Sequence, residues 1–155
     1  MIDKTELQQV INEALEGTGM FLVTVTVSKD NVIDVALDSD EIITIDDCVA
    51  VNDAVLAAFD RDQGEDYELT VGSYGITSPL LLPRQYRKYV GGEVEVLTAD
   101  GRKLKGVLAD ADDEGFTLSM TVKRRLEGKK RPELVEEQER FNYNAIKYTK
   151  NIIKI

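Results

Sequence analysis

Apolar side chains recur along the first eighty residues in two alternating rhythms. Leu7, Val10, Ile11, Ala14 and Leu15 fall at i, i+3, i+4, i+7 and i+8, the stripe of a helix. Asp3 and Glu6 stand where a capping box opens it, and Gly17 closes it. Phe21, Val23, Val25 and Val27 then alternate with Leu22, Thr24, Thr26 and Ser28, which predicts a half-buried strand with the first set inward. Lys29-Asp30-Asn31 turns the chain into Ile33, Val35 and Leu37, so the two strands form a hairpin. A second helix begins at Thr44, with Asp46 and Asp47 in its first turn and a stripe of Ile45, Cys48, Val49, Asn52, Val55, Leu56 and Phe59. Tyr67, Leu69 and Val71 make a third strand. The order helix, strand, strand, helix, strand predicts a two-layer α+β domain with both helices on one sheet face.

Gly72 to Pro79 is dense in turn formers, and the domain boundary is placed there or just after it, giving domains 1–82 and 83–155. Leu80 to Leu82 are apolar enough to pack on either side. Pro83 suits the first turn of a short basic helix that Gly91-Gly92 stops. Beyond it the pattern is all-β. Val94 and Val96 precede the hairpin turn Asp100-Gly101, and Leu104, Val107 and Leu108 follow, with Gly106 permitting a bend. Phe116, Leu118 and Met120 alternate with polar residues. Residues 123–136 read as a charged loop or tongue, Phe141 and Tyr143 as a strand, and Tyr148, Ile152 and Ile153 as the last one. Five short strands in so few residues predict a small SH3-like or Sm-like barrel.

Charge is unevenly divided. Residues 1–82 hold three basic and 17 acidic side chains, a net −14, whereas 83–155 hold 16 basic and 12 acidic, a net +4, within a chain of −10 overall. One surface is therefore acidic and another locally basic, which suits a partner that is basic in one place and rich in phosphate in another. The chain has no histidine and one cysteine, Cys48. It lacks the ligand sets of structural zinc and the side chain best suited to proton transfer near neutral pH, and no metal or cofactor is expected. Cys48 lies on the second helix's stripe and reads as a buried structural thiol. The absence of a membrane-length apolar run, and of a basic and apolar leader at Met1 to Glu6, predicts a cytoplasmic protein.

Three motifs yield to plainer readings. Asp110 to Gly115 imitates a calcium loop, but its twelfth position is Thr121, so it is a hairpin turn. Gly72-Ser73-Tyr74-Gly75 matches the backbone-clamping GxxG of KH domains, but it follows a strand. A carboxylate hydrolase built on Asp38, Asp40 and Glu41 has neither a phosphate cradle nor a histidine beside it. The sharper signal is basic: Arg84, Arg87 and Lys88, then Arg102, Lys103 and Lys105, then Lys123, Arg124 and Arg125 with Lys129, Lys130 and Arg131. On a small barrel these sets converge on one face, with Tyr86 and Tyr89 available to stack on bases.

The stretches Tyr67 to Leu80, Arg84 to Gly91, Val94 to Leu108, Gly115 to Leu118 and Phe141 to Lys147 together resemble the ribosome maturation factor RimP family over nearly the whole chain. The linker keeps Gly75, Pro79 and Leu80 of the family pattern. It departs at Tyr74, where the family has proline, and at Thr77-Ser78, where it has aspartate and arginine. The resemblance implies a non-enzymatic, monomeric assembly factor without cofactors that acts on the small (30S) ribosomal subunit late in its maturation, with 16S rRNA and protein twelve of that subunit as partners. The residues expected to touch the subunit are Ser73, Tyr74 and Gly75, the helix cations Arg84, Arg87 and Lys88, and the tongue cations Lys123 to Arg125 and Lys129 to Arg131. A general Sm-like RNA-binding module is the alternative, although the asparagine with which Sm proteins read a base is missing beside Gly115.

Overall fold

The computed structural model describes residues 2–62, 64–125, 127–128 and 130–153. The chain is α+β, with three α-helices and two sheets, and it divides into two compact units, Met1–Gly75 and Ile76–Ile155. Residues 76–82 thus go with the second unit, where Leu80 is buried and its N–H donates to Thr149 O at 2.8 Å. They carry no charge, so the first unit keeps the whole −14.

The first unit runs α1 (Lys4–Leu15), β1 (Met20–Val27), β2 (Val32–Ser39), α2 (Ile45–Ala58) and β3 (Glu68–Ser73). Asp3 caps α1 by accepting from Glu6 N, and Leu7, Ile11 and Leu15 turn inward as their spacing requires. The sheet order is β1-β2-β3, with β1 antiparallel and β3 parallel to β2. Both helices pack on the face that presents Ile33, Val35 and Leu37, and these residues form one core with Val25, Val51 and Val55.

Two predicted faces are corrected. In β1 the register slips between Leu22 and Thr24, leaving Val23 as the extra residue of a bulge. A bulge exchanges the two faces of a strand, so Met20 and Leu22 before it share the core with Val25 and Val27 after it, while Phe21 is buried outside that cluster. In α2 the buried residues are Val51 and Val55. Ile45, Val49 and Leu56, expected inward, are exposed, and Cys48 is only half-buried. Burial and the neighbouring Asp47 carboxylate push its thiol up, which favours the unreactive form.

The second unit opens with α3 (Pro83–Lys88), followed by β4 (Glu93–Thr98), β5 (Lys103–Ala111), β6 (Gly115–Arg124), β7 (Glu133–Asn142), a 3₁₀ turn (Tyr143–Ala145) and β8 (Ile146–Asn151). All pairings are antiparallel in the order β7-β6-β5-β4-β8. The sheet is not closed: among the described residues the outer strands β7 and β8 do not pair, so a closed barrel is not what these strands form. Its core is Tyr86, Val94, Val96, Leu108, Phe116, Leu118, Met120 and Phe141 with Leu80.

Both ends of the segment predicted as a charged loop, residues 123–124 and 133–136, are strand. β6 and β7 pair from Gly115↔Asn142 out to Arg124↔Glu133, a long ribbon that needs little apolar content because most of its outer end faces water on both sides. Gly106 serves close packing rather than a bend. A Cβ there would strike Ser119 O and crowd the side chains of Met120 and Leu118.

Candidate functional site

The sequence-predicted residues fall in three separate places. The first is the exit from β3. Ser73 pairs with Leu37, and Tyr74 N donates to Leu37 O at 2.7 Å, so the ladder continues through the residues expected to form the turn. The chain leaves the first unit only at Gly75. Tyr74 is half-buried, which raises its phenol pKa.

The second place is α3. Gln85, fully buried, accepts from Leu81 N (2.8 Å) and Leu82 N (3.1 Å) and so fixes the start of the helix. Tyr86 points inward: its ring stacks on Phe116 at 5.0 Å and its hydroxyl donates to Thr149 Oγ1 at 2.8 Å. It is therefore a core anchor and is not available to bases, contrary to the expectation above. Tyr89 is half-buried, with Lys88 Nζ 5.2 Å from its ring centre. Arg87 pairs with Asp113 at 2.7 Å. Burial, together with Tyr86 and Asp112, pushes the nearby Tyr143 phenol up to about 12, so it stays protonated and donates to Asp112 O at 2.6 Å.

The third place is the outer end of the β6–β7 ribbon. Arg124 binds Glu137 through two hydrogen bonds, of 2.7 and 3.0 Å, which raise the guanidinium pKa and lower that of the carboxyl. Arg125 donates to Lys130 O at 2.8 Å. Lys123, Lys130 and Arg131 are exposed, and Lys129 lies outside the described residues. Arg87 meets Asp113 just before β6 starts, whereas Lys123 to Arg125 lie at its far end. At about 3.3 Å per residue these sets are roughly 30 Å apart, so they do not form one patch.

A fourth cluster joins residues that no single stretch of sequence connects. On the outward face of β5-β4-β8, Glu95 is opposite Lys105 on one side and Lys150 on the other. Lys103 Nζ lies 3.7 Å from Glu95, and Tyr148 donates to the same carboxylate at 3.0 Å while lying under Lys150 Nζ, 4.5 Å from its ring centre. Three lysines thus share one face with a single carboxylate and a half-buried tyrosine, a net positive surface that attracts phosphate oxygens. Lys103 and Lys105 belong to the predicted basic sets, whereas Lys150 was missed. Its signal was the two-residue spacing from Tyr148, which puts both side chains on one strand face. Two further guanidinium groups are held by carboxylates: Arg102 grips Glu139 at 2.8 and 3.3 Å, and Arg140 holds Asp110 at 3.1 Å and Asp112 at 2.5 Å.

The carboxylates weighed for a hydrolase lie at and just after the end of β2. Asp38 accepts from Ser39 N at 2.8 Å, while Asp40, Glu41 and Asp47 line a polar hollow of about 320 Å³. Among the described residues no group of three His, Cys, Asp or Glu side chains could hold a metal ion, and no helix is long and apolar enough to cross a membrane.

Residues 10–77 match the family model described as the RimP N-terminal domain. The ribosome maturation factor RimP of Porphyromonas gingivalis is 38% identical over 131 residues, 84% of this chain and 86% of that protein. The chain belongs to the RimP family. The protein of the same name from Christiangramia forsetii is 35% identical over 104 residues, 67% of each chain, and that from Flavobacterium psychrophilum 27% identical over 147 residues, 94% of each. The match begins within α1 and ends two residues past the boundary between the units, so it covers most of the acidic αββαβ unit.

Proposed function

We propose that this chain is a cytoplasmic ribosome maturation factor that binds the small ribosomal subunit and assists its late assembly without catalysing a reaction. Membership of the RimP family supports the ribosomal role. The observation that carries the rest is the division of charge: −14 on the first unit, and on the second a face where Lys103, Lys105 and Lys150 outnumber Glu95. Phosphates of 16S rRNA are attracted to that lysine face and repelled by the first unit, which is left to a basic ribosomal protein. On this reading protein twelve of the small subunit is that protein, the chain acts as a monomer, and its second unit is related to the SH3-like and Sm-like folds. Ser73 to Gly75, Arg84, Arg87, Lys88 and the ribbon cations are further contact points, ranked below the lysine face because Arg87 and Arg124 already bind carboxylates within the chain.

The test is depletion in the source bacterium, with small subunits resolved by sedimentation and their 16S rRNA ends mapped. Small subunits carrying unprocessed rRNA, restored by the wild-type chain, are expected. A normal subunit profile with mature rRNA ends contradicts the proposal.

A further inference from the structure

Two features of the first unit meet at one place that the basic clusters do not use. One is the open edge of β3. Glu68 N donates to Asn31 O at 3.0 Å and Tyr74 N to Leu37 O at 2.7 Å, so the even-numbered residues face β2. Peptide groups alternate sides along a strand, which turns the N–H and C=O of Leu69, Val71 and Ser73 away from β2. Among the described residues no strand pairs with that edge.

The other feature is the exposed stripe of α2. Ile45 is 82% exposed, Val49 48% and Leu56 37%, at helical spacing, and Ile42 just before the helix is 84% exposed. Ile45 and Cys48 share a groove of about 280 Å³ with Val71, Gly72 and Ser73, so the stripe runs to the β3 edge. Such an edge beside an apolar groove is what strand addition uses: main-chain hydrogen bonds bind, and alternate side chains enter the groove. Charge selects the occupant. Asp46, Asp53, Asp66 and Glu68 are exposed on α2, on β3 and before it, within a unit of −14. Nucleic acid is repelled from this surface, and so is the same unit of a second copy.

We propose that the open edge of β3 and the groove beside it dock an extended, lysine- and arginine-rich segment of another protein, which adds a strand to the sheet and seats an aliphatic side chain against Ile45. The assignment rests on the proposed function only in making a ribosomal protein the natural source of that segment.

The test titrates the full ¹⁵N-labelled chain with an acetylated peptide of alternating lysine and isoleucine, and with its glutamate counterpart. Saturable amide shifts at Leu69, Val71 and Ser73, with slowed hydrogen exchange there, are expected for the lysine peptide alone. Ile45→Lys, at a solvated position, and Val71→Pro, which removes an outward N–H at an edge that tolerates proline, should each weaken binding at least tenfold. Unchanged affinity in the folded Ile45→Lys chain, equal binding of the glutamate peptide, shifts centred elsewhere, or self-association through β3 without peptide overturns the proposal. Failure here with intact small-subunit binding removes the docking site alone. Peptide binding without small-subunit binding removes the ribosomal reading alone.

Discussion

Tyr86 donates its hydroxyl to Thr149 Oγ1 at 2.8 Å, with both residues buried, and so fastens α3 to β8 across the core of the second unit. Burial raises the phenol pKa, keeping the donor protonated. Tyr86→Phe keeps the stack on Phe116 but loses this bond, and the unit should be less stable by about 1 kcal/mol in urea unfolding. Tyr86→Ala also removes the ring and should cost about 3–5 kcal/mol. If Tyr86→Phe unfolds like wild type and loses only RNA affinity, Tyr86 is a contact residue instead.

Gly115 tests the β6–β7 ribbon. A Cβ there would run into the carbonyl of Phe141, a backbone atom that cannot rotate away. Gly115→Ala should therefore destabilise the second unit by about 1–3 kcal/mol, by analogy with overpacked cores. Thermal unfolding with probes in each unit should show the transition of the first unit unmoved.

At the start of α2, Thr44 Oγ1 accepts from Asp47 N at 3.2 Å, and Asp47 Oδ2 accepts from Thr44 N at 2.9 Å. Thr44→Ala breaks this reciprocal cap and should lower the stability of the first unit by about 1 kcal/mol, read from its urea midpoint.

Acid should weaken the second unit through identified pairs. The Arg140 guanidinium, helped by Glu114 N and Gly115 N, holds the Asp112 carboxyl below its usual range, and Arg124 does the same for Glu137. A carboxyl with a depressed folded-state pKa adds stability that is complete above its unfolded value and lost as pH falls through the folded one. The stability of the second unit should thus be flat above about pH 5 and decline below pH 4. Arg140→Gln should make that decline shallower, as measured by urea midpoints across pH 2.5–6.

The lysine face and the paired arginines should separate in binding. Lys105→Glu with Lys150→Glu should weaken small-subunit binding and flatten its dependence on log salt concentration by about 1–2. Arg124→Ala, which removes a cation already bound to Glu137, should change both by much less. Filter binding across a salt series distinguishes them.

Much of the first unit was legible because its strongest periodicities met no competing pattern. Leu7, Ile11 and Leu15 on α1, and Ile33, Val35 and Leu37 on β2, lie inward as their spacing predicts. In β1 the alternation is intact in sequence, but the bulge at Val23 exchanges faces, and no residue type announces it. On α2, Ile45, Cys48, Val49, Val51, Val55 and Leu56 are apolar almost all round, so several stripes fit, and contact with the rest of the core selects Val51 and Val55. The basic residues were visible as residues, but their states were not. Arg87 pairs with Asp113, Arg102 with Glu139 and Arg124 with Glu137 across 26, 37 and 13 positions, which only strand pairing and the packing of α3 reveal. The same pairing brings Lys150 onto one face with Lys103 and Lys105, and it extends β6 and β7 into both ends of a stretch that reads as a loop because it is too polar to betray strands.

The central claim is tested most directly by sucrose-gradient cosedimentation of the purified chain with small subunits, large subunits and whole ribosomes at low and moderate salt, beside a free-RNA control. Retention on small subunits alone, reduced by salt and by Lys105→Glu with Lys150→Glu, is predicted. Equal retention on large subunits, binding to free RNA only, or no binding at low salt contradicts the account.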